Sequence, residues 1–190
     1  MNLTPLDYFL WGIFPYITLA IVIGGTIWRY KTDQFGWTTR SSQMYESKLL
    51  RIASPMFHYG ILVVLVGHIV GLVIPKSWTD AVGISEYFYH LNALWLGSVA
   101  AVATLVGLFA MIYRRRTSAT VFRATTWNDK LMYVALASAI VLGSVATLFN
   151  ALEIEGEHNY RETVSVWFRS IFYFNPNVEA MANATTSFHI

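Results

Sequence analysis

Four stretches of about 20 apolar residues, near positions 6 to 28, 53 to 74, 91 to 113 and 131 to 152, constrain this chain more than any other feature. Each is long enough to cross a hydrocarbon core roughly 30 Å thick as a helix. Only 13% of the 190 residues are charged, against roughly 25% in soluble domains, so the chain belongs in a bilayer. The first stretch carries Pro15 and Tyr16 in its middle and is followed by no small-residue cleavage pattern. It reads as a retained helix rather than a cleaved leader.

No cysteine is present, which excludes disulfides, thiolate zinc sites and protein-held iron-sulfur clusters. Any metal must be held by nitrogen or oxygen. The net charge of +2 says less than its distribution. Arg29, Lys31, Arg40, Lys48, Arg51, Arg114, Arg115, Arg116, Arg123 and Lys130 flank one side of the spans, and Lys76, Arg161 and Arg169 the other. The positive-inside rule makes the first side cytoplasmic and puts the N-terminus outside. Arg114 to Arg116 abut a span and read as a topology anchor rather than a nucleic-acid surface. The expected partner is lipid, with no nucleic acid.

The polar inner connector, residues 29 to 51, is too short to be a domain. The outer connector, 75 to 90, carries Trp78, Tyr87 and Tyr89, which suit the headgroup level. A second inner connector, 114 to 130, ends at Asn128 and Asp129, the expected caps of the fourth helix. Residues 164 to 174 are apolar but too short to cross, and Arg169 interrupts them. They predict an interfacial helix on the outer leaflet, broken by Asn175, Pro176 and Asn177. Residues 178 to 190 turn apolar again, as a helix begun and not completed. The expected fold is therefore all-α, a polytopic membrane helix bundle of four transmembrane helices, an interfacial helix and the start of a fifth. Residues 1 to 190 form one membrane-embedded domain in this reading.

His58 and His68 lie inside the second apolar stretch. An ionisable side chain at that depth needs a partner and marks a functional site by default. Ten positions separate the two by roughly 15 Å along a helix, with an offset of about 80°. They cannot share one metal ion, but the distance suits two stacked haems, each taking one axial ligand from this helix. His58 would serve the inner haem and His68 the outer. Gly60, Gly67 and Gly71 are expected to leave the helix surface open beside them, although small residues also mark ordinary helix contacts. Two alternatives stand beside the haem reading. One is a hydrogen bond from each histidine to a neighbouring helix. The other is a non-catalytic scaffold or small transporter whose histidines bind a proton or a divalent metal; zinc would want about four close ligands. Second imidazoles could come only from His90, His158 or His189, all entering from the outer face. None reaches the depth of His58.

The runs Ile13-Phe14-Pro15-Tyr16, Trp28-Arg29-Tyr30, Arg40-Ser41-Ser42-Gln43-Met44, Ala53-Ser54-Pro55-Met56-Phe57-His58, Val66-Gly67-His68 and Arg123-Ala124-Thr125-Thr126 occur in that order. As a set they resemble the gamma subunit of respiratory nitrate reductase, the membrane dihaem cytochrome b of that complex. The stretch from Trp167 to Met181 is also similar. The resemblance implies a five-helix, multi-pass subunit of the bacterial inner membrane with its N-terminus outside. It implies that helix two gives one ligand to each of two b haems, through His58 and His68, and that helix five gives the others. In the family the fifth helix opens with an aromatic residue, any residue, an aliphatic residue and then His. Phe188-His189-Ile190 matches the first three positions, so His189 is not the ligand on that alignment and the chain is expected to be C-terminally incomplete.

The resemblance further implies an enzyme subunit that oxidises a quinol, menaquinol or ubiquinol, near the outer haem. Electrons would pass inward to an iron-sulfur beta subunit and then to a molybdenum alpha subunit that reduces nitrate, both on the cytoplasmic face. Quinol oxidation needs a proton acceptor at the outer edge. His90 is the candidate, with Lys76 and Glu86 nearby in sequence, because its reference pKa of about 6.5 suits proton uptake near neutrality.

Overall fold

The computed structural model describes residues 3 to 36, 42 to 152 and 160 to 187. Four helices among them are long and apolar enough to cross a membrane: Pro5–Thr32, Lys48–Val73, Glu86–Thr117 and Trp127–Leu148. With no strand among the described residues, the fold is an all-α membrane helix bundle. Each helix begins ahead of its apolar stretch, because hydropathy marks the apolar length while caps decide where the helical backbone starts. Thr4 and Asp7 form a reciprocal capping box before the first span, with Pro5 at the first helical position. Ser85 accepts from the Phe88 amide and starts the third span five residues earlier than hydropathy indicates. The fourth span is capped by Thr126, whose hydroxyl and amide both bond Asp129 Oδ2. The Asp129 amide donates back to Thr126 Oγ1. Asn128 and Asp129, expected as caps, therefore lie inside the first turn, and Thr126 does the capping.

The chain divides into two compact units. The first comprises Met1–Thr39, Ile69–Thr79 and Gly156–Ile190. Two π-helical turns, Tyr8–Ile13 and Ile69–Val73, each stop two residues before a proline, Pro15 and Pro75. Pro15 has no N–H to offer the Trp11 carbonyl. The Trp167 indole Nε1 donates to that carbonyl instead, at 2.8 Å, with the two indoles edge to face at 5.7 Å. Arg169 Nη1 donates to the carbonyl of Leu72 in the other π turn, at 3.2 Å. Both donors come from the helix Val164–Ile171, which is docked by Ser165 and Ile171, both buried. Arg169 thus satisfies a helix end, where the sequence suggested only an interruption. A turn at Phe172 to Phe174 closes this helix, and the last described helix is Val178–Ser187.

The second unit comprises Arg40–His68 and Asp80–Glu155. Its centre is the contact between Lys48–His68 and the third span, where two glycines let the backbones meet. A Cβ on Gly107 would fall 2.6 Å from the Phe57 amide nitrogen and 2.9 Å from the Ala53 carbonyl oxygen. A Cβ on Gly60 would fall 2.6 Å from Thr104 Oγ1. Small residues allow this approach in a membrane, where dispersion and close packing replace the hydrophobic drive. Thr104 is buried there with its hydroxyl donated to the Ala100 carbonyl at 2.7 Å. Gly60 is thereby filled by a neighbouring helix rather than left open beside His58, which corrects the expectation for that residue. Gly67 has nothing within 4 Å of a Cβ position.

Candidate functional site

His58 and His68 both sit on the α-helix Lys48–His68, ten residues apart as the sequence requires. Each imidazole turns back along its own helix. His58 Nδ1 lies 2.7 Å from the Ser54 carbonyl, and His68 Nδ1 lies 2.8 Å from the Val64 carbonyl. A carbonyl oxygen only accepts, so Nδ1 carries a proton in both rings, and in the neutral ring the lone pair lies on Nε2. The expected alternative, a bond to a neighbouring helix, is not what these contacts are; they are local, between residues four apart. Both side chains are exposed.

That chemistry fits an axial haem ligand. A ligating histidine characteristically donates its other ring N–H to a carbonyl or carboxylate, which fixes tautomer and orientation. Among the described residues no three His, Asp or Glu side chains cluster as a metal cage would need. The pair offers a single ring nitrogen at each of two separate positions. The local acceptors, Ser54 and Val64, escaped the sequence reading. The spacing of four from each histidine would have found them, but only the side-chain rotamer selects that bond.

His90 occupies the second turn of the third span rather than its start, since the helix begins at Glu86. Its Nε2 lies 3.2 Å from Glu86 Oε1, one turn before it, and the two side chains are partly exposed. Lys76, grouped with them by sequence proximity, lies in the first unit and pairs with Glu162 at 2.8 Å. His158 and His189 lie outside the described residues.

A further set of residues was not legible as a unit. Arg114 is buried and donates to Glu46 Oε2 at 2.6 Å, to Ser42 Oγ at 2.8 Å and to the Ser42 carbonyl at 2.7 Å. Glu46 is held below the usual carboxylate range, first by the Leu49 amide that donates to it and then by the Arg114 guanidinium, against an opposing desolvation. Arg115 reaches Tyr133 Oη and Thr125 Oγ1, both at 3.1 Å. Arg116 is exposed. The three adjacent arginines therefore do different things, and only Arg116 has the free exposure expected of a plain topology anchor.

Comparison with known proteins adds an independent line. The family model described as nitrate reductase gamma subunit matches residues 7–190. The nitrate reductase-like protein NarX of Mycobacterium tuberculosis (strain ATCC 25618 / H37Rv) is 57% identical over 95% of this chain, which spans 28% of that protein's length. The nitrate reductase gamma chain of Bacillus subtilis (strain 168) is 40% identical over 95% of this chain and 81% of its own. The respiratory nitrate reductase 1 gamma chain of Escherichia coli (strain K12) is 31% identical over 90% of this chain and 74% of its own.

Proposed function

The chain belongs to the nitrate reductase gamma subunit family, and we propose that it is the quinol-oxidising cytochrome b subunit of a quinol:nitrate oxidoreductase complex in the bacterial cell membrane. The observation that carries this reading is the pair of imidazoles on one membrane span, each with Nδ1–H bound to a carbonyl and Nε2 left as a donor. His58 would hold the inner haem b and His68 the outer. When bound, the two haems would supply a one-electron relay that divides a span too wide for one efficient transfer.

The chain's own residues would do the rest. The Ser54 and Val64 carbonyls hold the imidazoles in the ligating tautomer before any metal arrives. Quinol oxidation releases two protons as well as two electrons, and His90 would accept one of those protons. Glu86, 3.2 Å away, stabilises the imidazolium that forms. The excess of Lys and Arg on one side of the spans supports an N-terminus outside and a cytoplasmic face at which iron-sulfur beta and molybdenum alpha subunits would dock. Nitrate itself would never meet this chain.

The test is spectroscopic. Membranes carrying the complete complex are expected to show two b-type components on reduction, of which His58→Ala removes one and His68→Ala the other. Survival of both components in either variant would falsify the ligand assignment. Absence of any b-type spectrum from the parent complex would return the chain to the scaffold reading.

A further inference from the structure

We infer that Ser54 is a positioning residue that makes the two imidazoles electronically unequal, by giving the His58 Nδ1–H a second acceptor that His68 lacks. The inference rests on the haem-ligand reading above. The His58 Nδ1 lies 2.7 Å from the Ser54 carbonyl and also 3.3 Å from the Ser54 hydroxyl. Because the carbonyl fixes the proton on Nδ1, the hydroxyl oxygen acts here as an acceptor, and the one N–H is shared between two oxygens of the same residue. At His68 the corresponding residue is Val64, whose side chain has no polar atom; among the described residues Nδ1 meets only the Val64 carbonyl, at 2.8 Å.

The surroundings sharpen the difference. The ring of Phe57 stands edge to face against the His58 ring at 5.2 Å, and Phe57 is itself buried where Gly107 presses on its backbone. The turn carrying Ser54 and His58 is therefore pinned by the third span. Next to His68, Gly67 has open space instead.

A ring N–H drawn toward two acceptors leaves more electron density on the opposite nitrogen, and a richer ligand favours the oxidised metal. Ser54 should thus lower the reduction potential of whatever iron His58 binds, with no effect at His68. Ser54→Ala removes one acceptor and keeps the backbone carbonyl, so the proton stays on Nδ1 and the ligand is retained.

The experiment is a redox titration of the b-type absorbance in the complete complex, comparing the parent with Ser54→Ala and Ser54→Thr. Ser54→Ala is expected to shift one component to higher potential and leave the other in place. The shifted component should be the one missing from His58→Ala. Ser54→Thr, which keeps a hydroxyl at the same branch point, should behave as the parent. Two components in unchanged positions, both moving together, or loss of both in Ser54→Ala overturns the inference while leaving the haem reading intact. A parent complex without two b-type components overturns both.

Discussion

The Nε of Arg114, at the end of the third span, donates to Oε2 of Glu46 at 2.6 Å across 68 residues of chain. With Ser42 supplying two further acceptors, one buried guanidinium ties the connector ahead of the second span to the third. Removing it strips hydrogen bonds to a charged group, each worth about 1.5 to 3 kcal/mol. Arg114→Ala is expected to destabilise the detergent-solubilised protein by roughly 2 kcal/mol or more, with Arg114→Lys intermediate because an ammonium cannot reproduce the fork. Arg116→Ala removes the same charge from an exposed site and should leave the thermal midpoint unchanged. Equal losses in the two alanine variants would show that Arg114 acts only through its charge.

The same contact predicts a pH response. The folded-state pKa of Glu46 lies below its ordinary value, so the carboxylate contributes stability that is complete above the unfolded value of about 4.3 and fades as pH falls through the folded one. The chain has no cysteine, so a nitroxide can be placed at Met44→Cys alone. Its mobility should rise on acidification below about pH 4.3. In a Glu46→Gln background the rise should disappear, and its persistence would assign the response elsewhere.

Gly107→Ala puts a methyl group against backbone atoms of the facing helix, which cannot rotate away. Overpacking of this kind costs about 1 to 3 kcal/mol. Gly97 lies on the same helix with nothing within 4 Å, and alanine there should be neutral or slightly stabilising through helix propensity. Thermal unfolding of the two variants side by side decides the matter. A neutral Gly107→Ala would mean the two spans are not in this close contact.

Trp167 and Pro15 are coupled through the carbonyl of Trp11. Trp167→Phe leaves that carbonyl without its indole donor, a loss of about 1 to 3 kcal/mol for a desolvated acceptor. Pro15→Ala restores a backbone N–H that can serve it. In a double-mutant cycle Trp167→Phe should therefore cost less in the Pro15→Ala background, and strict additivity would show that the two do not share an acceptor.

His90→Phe is expected to slow quinol oxidation by about a hundredfold or more, the lower end for loss of a proton-transfer group. Both b-type components should stay in place. Glu86→Gln should slow it less, because an amide in place of the Glu86 carboxylate can still hold the ring but supplies no charge. Normal turnover in His90→Phe would remove His90 from the quinol site.

Much of this protein is written locally. Hydropathy alone placed the four spans, because transfer free energy adds over some 20 consecutive residues and needs no knowledge of neighbours. The ten-residue interval between His58 and His68 set their separation once the segment was helical, and the ordered motifs from Ile13 to Thr126 pointed to the family that the comparison found. The helix ends were less legible: Thr126 rather than Asn128 or Asp129 caps the fourth span, a choice made by reciprocal hydrogen bonds among residues that all favour caps.

Tertiary structure alone decided what distant residues do to one another. An arginine beside a span has the same sequence signature whether it is exposed, as Arg116 is, or buried against Ser42 and Glu46, as Arg114 is. A glycine in an apolar helix looks equally open whether its surface is free, as at Gly67, or filled by Thr104, as at Gly60. Hydrophobicity is a property of each side chain, but contact belongs to pairs, and the pairs form only when the helices have chosen their faces.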